Sequence, residues 1–241
     1  MRRMLTQLRT ETVLVLRNGE QLLLTLVIPV LLLVFFSVVD VLPSGAQDPE
    51  DFLLPGIVAL AVMSTAMVSL GIATGFERSY LVLKRLGATP LRRGELVTAK
   101  MLSVFAIEML QLAVLLPLGA ALGWSPEGSS TWFLVPAVLL GTAAFTGIGL
   151  TLAGTLRGEI NLAAQNGLYL VLLLLGGMVI PMSSLPAPLR SVAELLPSSA
   201  LADVVRDALT DAGNQPGASW VVLAVWAVAG PVVASRTFRW S

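Results

Sequence analysis

The chain has 241 residues, 56% of them hydrophobic and only 12% charged, with fifteen basic residues balanced by fifteen acidic ones. A soluble domain carries about a quarter charged residues, so this composition excludes an ordinary water-soluble globule, and zero net charge removes any global argument for nucleic-acid binding. With no Cys and no His, disulfides, thiolate metal sites, most zinc sites and Ser-His or Cys-His nucleophile pairs are impossible; no catalytic or metal-ligating residue is expected.

Residues 1–20 mix Leu5, Leu8, Val13 and Leu16 with Arg2, Arg3, Arg9, Glu11 and Arg17. This suits a helix lying in the membrane interface before Gly19 turns the chain inward; a flexible basic tail is the alternative. A helix needs about 20 apolar residues to cross the hydrocarbon core, and the first such run gives a span near 21–42. A cleaved signal peptide is not expected: the leading region is long and holds Glu11 and Glu20, the apolar run is too long, and no A-x-A site follows.

A second span is predicted near 52–75. The segment 76–99 follows, and its stretch "ERSYLVLKRLGATPLRRGE" holds seven of the thirty charges, five of them basic. Residues Glu77 to Leu86 are predicted as a short amphipathic helix, with Leu81, Leu86, Tyr80 and Leu83 on its apolar side and Arg78, Lys84 and Arg85 charged. Gly87 suits a helix end, and Thr89 with Pro90 reads as the N-cap and first turn of the next helix. Physical chemistry alone leaves two readings of this capped, basic knob: a solvated loop that sets topology and touches anionic lipid, or a docking element.

The third span is predicted near 100–122. Glu108, in "FAIEMLQL", lies well inside it, where an ionised carboxylate costs several kcal/mol unless paired or wet. Glu108, with Gln111 one turn on, is a candidate for a water-filled or substrate path, with interhelical bonding as the structural alternative. Spans four and five are predicted near 132–156 and 160–180. The pairs Gly71/Gly75 and Gly119/Gly123 have a spacing that permits close helix contact.

Residues 181–217 are cut by Pro181, Pro186, Pro188 and Pro197 into short pieces. Ser191 and Glu194 form a weak capping-box signal. Leu201, Val204, Val205 and Ala208 recur at helical spacing with Asp203, Arg206 and Asp207 opposite, which predicts an amphipathic helix too short to span. It fits an interfacial or re-entrant position or a plain outer cap. The sixth span is predicted near 218–235.

With six spans, one side collects Arg2, Arg3, Arg9, Arg17, Arg78, Lys84, Arg85, Arg92, Arg93, Lys100, Arg157, Arg236 and Arg239, and the other keeps only Arg190 and Arg206. The positive-inside rule then makes both termini and the segment 76–99 cytoplasmic. The fold expected is an all-α membrane protein in one transmembrane domain, 1–241. It comprises six transmembrane helices, an N-terminal interfacial helix, a cytoplasmic segment at 76–99, and short re-entrant or extracellular helices at 181–217, between the fifth and sixth.

The stretch "GFERSYLVLKRLGATPLRRGELVTAKML" resembles the corresponding segment of ABC-2 type ABC transporter permeases, the daunorubicin-exporter and nodulation-export-like subunits, through Glu77, Arg78, Leu83, Lys84, Arg85, Leu86, Thr89, Pro90, Leu91, Arg93, Glu95 and Lys100. It departs from that pattern at Gly87 and across "SYLVL". The resemblance implies that 76–99 is a coupling helix docking on an ATPase subunit through Glu77, Arg78, Leu83, Lys84, Arg85, Leu86, Thr89 and Pro90. It further implies that the segment holding Pro181, Pro197, Asp203 and Arg206 is re-entrant above a substrate path.

The only lysines, Lys84 and Lys100, follow no phosphate-binding glycine loop. No cofactor is therefore expected in this chain; the resemblance implies that ATP and Mg2+ bind in a partner ATPase. The resemblance also implies a second permease copy, most simply a homodimer, in a bacterial plasma membrane, contacting lipid and no nucleic acid. The cargo would be a hydrophobic or amphipathic drug, natural product, lipid or glycan moved outward. The rival readings are a non-transporting anchor, regulatory or immunity protein, and an intramembrane enzyme, for which Glu108 stands alone without a partner carboxylate.

Overall fold

The computed structural model describes residues 2–39, 49–125, 130–210 and 217–238, and these residues contain helices and turns without a strand. The predicted interfacial segment is α1 (Arg2–Arg17), which packs along α6 (Arg93–Ala121). After Asn18 the chain enters α2 (Gly19–Val38). The second predicted span is one helical run of three parts: α3 (Pro49–Met63), a wide π turn (Ser64–Ser69) and α4 (Leu70–Ser79). A short α5 (Val82–Gly87) precedes α6, and α7 (Leu134–Thr155) and α8 (Gly158–Leu175) follow. A 3₁₀ turn (Met182–Ser184), α9 (Ala187–Ala193) and α10 (Pro197–Thr210) lead into α11 (Gly217–Thr237).

Five helical stretches among the described residues are long and apolar enough to cross a membrane: Phe52–Ser79, Arg93–Ala121, Thr131–Thr155, Gly158–Leu175 and Gly217–Thr237. They carry the second to sixth predicted spans. The first prediction, 21–42, falls on α2, whose apolar part, Thr25–Val38, is shorter than those five, and its last residues lie outside the described ones. Two helices outrun their predicted ends: α4 continues to Ser79 and α6 begins at Arg93. A charge ends a hydropathy window, but it does not end a helix when its head group finds a partner.

From Phe52 to Met63 α3 is apolar on all sides, and 83% of the most apolar window of the run Phe52–Ser79 is buried, against 17% for α8 and 22% for α11. A helix apolar all round belongs in a core, and α3 supplies Leu54, Val58, Ala59, Val62 and Met63 to it. The central neighbour is α7, which packs on α11, α4, α10 and α6. Gly147 meets the backbone of Gly230 so closely that an added Cβ would lie 2.2 Å from the Gly230 carbonyl carbon. Only glycine permits that approach. The Gly71/Gly75 pair also forms a close contact, but within the chain: Asn161 and Gln165 of α8 occupy the space that side chains there would need. Gly119/Gly123 does not act as a pair. Gly119 faces Leu54, while Gly123 sits beyond the helix with φ +114°.

The segment 76–99 departs from the predicted continuous helix over 77–86. Glu77 to Ser79 are the last turn of α4. The chain then breaks at Tyr80 and Leu81, with Leu81 in the left-handed region at φ 61°. That conformation costs a non-glycine residue about 1–2 kcal/mol. The reversal is offset by the burial of Leu83, fully enclosed with Leu96 and Phe238 and flanked by Leu86 and Leu91. Thr89 does not cap the next helix. Its hydroxyl donates to the Leu86 carbonyl (2.6 Å), closing α5, and α6 starts at Arg93, preceded by its N-cap Arg92, whose N–H donates to the Glu95 carboxylate (2.8 Å).

Between α8 and α11, Pro181, Pro186 and Pro197 stand at the starts of separate elements as predicted, whereas Pro188 lies in the first turn of α9 and makes no cut, and Leu201, Val204, Val205 and Ala208 are the buried face of α10. The capping box does not form. Ser191 lies inside α9 and bonds the Ala187 carbonyl, and Glu194 follows that helix's end. Ser198, Ser199, Ala200, Ala202 and Leu209 are also buried, and α10 inserts among α3, α7 and α11.

Candidate functional site

The basic end of the bundle is organised around one ammonium group. Lys100, 1% exposed, places its Nζ 3.0 Å from Glu11 Oε2, 3.0 Å from Glu77 Oε1 and 2.9 Å from Glu77 Oε2. A lysine is almost never enclosed unless paired. Here one buried charge ties three helices together: α1 through Glu11, the end of α4 through Glu77, and α6, which carries Lys100. Gln7 donates to the second oxygen of Glu11 (2.7 Å), and Thr12 donates to Ser103 on α6 (3.3 Å). Sequence reasoning counted Lys100 as a topology signal and left Glu11 on a lipid-facing helix. The signal that pointed further was a lone lysine inside the uncharged run "LVTAKMLSV".

Arg78, next to Glu77, turns the other way. Its Nη1 donates to the carbonyls of Leu156 (3.1 Å) and Ala153 (3.4 Å) at the end of α7, where unsatisfied carbonyls and the helix dipole favour a cation. Of the eight predicted coupling residues, Glu77, Arg78 and Leu83 are therefore committed inside the chain. Lys84, Arg85, Thr89 and Pro90 are exposed and Leu86 is half-buried. Five residues, not eight, form an outward surface, and Leu83 anchors it from beneath.

Glu108 and Gln111 are both buried but face different neighbours. Glu108 accepts from the Thr142 hydroxyl on α7, and its other oxygen is buried with no hydrogen-bond partner. It lines neither cavity described below. Gln111 Nε2 donates to the Thr25 carbonyl of α2 (2.8 Å) and the Thr65 hydroxyl of the π turn (3.1 Å). The shared face expected for the pair is thus divided between two contacts. Thr142 also bonds the Val138 carbonyl (2.7 Å), so removing the carboxylate leaves no hydroxyl stranded. Glu108→Leu is expected to keep or raise thermal stability, by up to about 1 kcal/mol, measured as the unfolding midpoint in detergent. A fall of several kcal/mol would show that the carboxyl group holds the helices together.

In α8, Asn161 donates to the Gly71 carbonyl (3.0 Å), and Gln165 donates to the Gly149 carbonyl (2.9 Å) and to Asn161 (3.2 Å). This polar clamp went unread in the sequence because only tertiary packing places the two amides on glycine backbones. At the opposite end, Pro181 opens the 3₁₀ turn and Pro197 opens α10. Arg206 lies 4.7 Å over the Phe52 ring, donates to the Gly177 carbonyl (2.9 Å) and sits 3.7 Å from Asp203, which also accepts from Ser219 (3.1 Å). These two residues pin α10 to its neighbours; the structure does not bring them together with Glu108 or Gln111.

Two neighbouring hollows lie beside α2. One of about 470 Å³ is bounded by Glu11, Arg17, Phe76, Glu77, Tyr80 and Lys100 among others. A second of about 200 Å³ holds Gln111 and Tyr169. Thr25, Thr65 and Ser69 border both.

Comparison with known proteins gives a consistent result. The family profile described as ABC-2 type transporter matches residues 2–210. The chain is 30% identical over 190 residues to YvfS of Bacillus subtilis (strain 168), named as a transport permease, with 76% of each chain covered. It is 27% identical over 175 residues to YbhS of Escherichia coli (strain K12), named as a multidrug ABC transporter permease, covering 71% of this chain and 46% of that relative.

Proposed function

This chain belongs to the ABC-2 type transporter family, and from that premise we propose that it is the membrane-spanning subunit of an ATP-driven exporter, powered by a separate ATPase. Its multi-pass character follows from the family and from five helices of spanning length. In this reading α2 is a sixth span, and both termini and α5 face the cytoplasm of a bacterium, in line with the crowding of Lys and Arg at that end. ATP and Mg2+ reside in the partner. Two permease copies, most simply identical, enclose the route of a hydrophobic or amphipathic cargo, and the weakly buried faces of α8 and α11 meet lipid or the second copy.

The observation that carries the reading is the build of α5. Lys84 and Arg85 face outward, while Leu83 beneath them is locked against Leu96 of α6 and Phe238 at the end of α11. A push on α5 is therefore delivered to two spans through packed side chains. It reaches α7 through Arg78, and α1 and α6 through Glu77 and Lys100. Stiff, desolvated contacts transmit displacement, whereas a solvated loop absorbs it.

A cysteine introduced by Arg85→Cys is expected to crosslink to the ATPase subunit in the assembled complex, while Val225→Cys, on the exposed face of α11, is not. An assembled complex with no ATPase adduct at position 85 overturns the proposal.

A further inference from the structure

We propose that the larger hollow beside α2 is a binding site for an organic cation with an apolar tail, a single-chain amphiphile drawn from the adjoining membrane leaflet. Its use in loading cargo rests on the exporter reading above; its ability to bind such a cation does not.

Three features converge on that ligand. The first is charge. The groups facing the hollow are Glu11, Glu77, Lys100 and Arg17. The Lys100 ammonium is enclosed and engaged by both carboxylates, and Arg17 is exposed at the rim. Two carboxylates surround one buried ammonium, and Glu77 keeps 26% of its side chain exposed, against 9% for Glu11. The ammonium is thus engaged within the chain, and Glu77 is the more exposed of the two carboxylates that border the hollow.

The second feature is aromatic. Phe76 and Tyr80, one helical turn apart on either side of Glu77, stack with ring centroids 6.2 Å apart and planes 19° from parallel. Both rings border the hollow and both are exposed, Tyr80 at 72%. Ring faces beside a carboxylate attract quaternary ammonium groups, which are weakly hydrated and carry a diffuse positive charge.

The third feature is the apolar wall. Leu14, Leu70, Val104 and Ile107 line the same space, which at about 470 Å³ lies in the range of small-molecule sites. A neighbouring hollow of about 200 Å³, lined by Gln111 and Tyr169, shares Thr25, Thr65 and Ser69 with it. The π turn at Ser64–Ser69 forms the border between the two, and such turns often mark functional positions. A cationic head seated at Glu77 between the rings and the carboxylate leaves its tail to run upward along α2.

The test uses the full chain in nanodiscs of neutral phosphatidylcholine, with radiolabelled dodecyltrimethylammonium below its micellar concentration as the probe. Saturable binding of about one probe per chain is expected, displaced by unlabelled probe and not by dodecyl sulfate. Joint replacement of Phe76 and Tyr80 by leucine is expected to weaken binding about tenfold. Ala73→Trp, which fills the hollow, is expected to abolish it, and Val225→Trp on the exposed face of α11 to leave it unchanged. Glu77 is left intact in these variants because it also holds Lys100. Non-saturable uptake, equal displacement by dodecyl sulfate, or unchanged binding in Ala73→Trp each overturns the proposal. Saturable binding without ATP-driven movement of the probe in vesicles that contain the ATPase supports the site and counts against the transport reading alone.

Discussion

Lys100→Met is expected to destabilise the protein by about 3–5 kcal/mol, the range found when one partner of a buried ion pair is removed and the other charge is left uncompensated. The cause is specific to this arrangement. Methionine fills nearly the same space, so packing is kept, but the Glu11 and Glu77 carboxylates then face each other across a site from which the ammonium has gone. Denaturation followed by helix content in detergent micelles measures the loss. The companion experiment separates charge from shape: Glu11→Gln and Glu77→Gln added to Lys100→Met are expected to recover most of the stability, because neutral amides remove the stranded charges. A single Lys100→Met variant as stable as the parent would mean that the three groups do not form a desolvated cluster. On the exporter reading proposed above, the same variant is expected to uncouple α1 from α4 and α6, so that ATP hydrolysis by the complex persists while cargo movement falls.

The second large effect is expected at the crossing of α7 and α11. In Gly147→Leu the new Cβ would sit 2.2 Å from the Gly230 carbonyl carbon and 2.5 Å from the Pro231 nitrogen. Those are backbone atoms, so no rotamer change relieves the clash and the two helices must separate. Overpacking a core costs about 1–3 kcal/mol where side chains can shift, and more where they cannot. A loss of about 3 kcal/mol or more is expected, read as a lower unfolding midpoint and reduced yield of folded protein. Gly167→Ala on α8 is the control. Nothing lies within 4 Å of its added Cβ, so it is expected to be neutral or to stabilise by up to about 1 kcal/mol through helix propensity. Equal behaviour of the two variants would show that the α7–α11 contact is looser than described.

Much of this architecture is legible without coordinates, for a reason tied to the solvent. Lipid demands long uncharged helices, so hydropathy marks where they run, and Arg78, Lys84, Arg85, Arg92 and Arg93 mark the basic end. The breaks at Pro181, Pro186 and Pro197 follow from missing N–H donors and a fixed φ. The π turn at Ser64–Ser69 and the reversal at Leu81 leave no comparable mark. Both are local departures that the surrounding packing enforces, at Thr65 by Gln111 and at Leu81 by the burial of Leu83.

The candidate site divides along the same line. Lys84, Arg85, Thr89 and Pro90 are exposed, as a basic, turn-forming stretch is expected to be. Glu77, Arg78 and Lys100 carry charges of the same kind and are drawn inward, because Glu11, the end of α7 and each other supply partners up to 89 residues away in sequence. Composition and spacing by themselves determine that this polypeptide is a helical membrane protein with a basic knob at one end. Which of the knob's charges bind the bundle and which are presented outward is decided only by tertiary structure, since the cost of burying a charge depends on a partner that the local sequence does not contain.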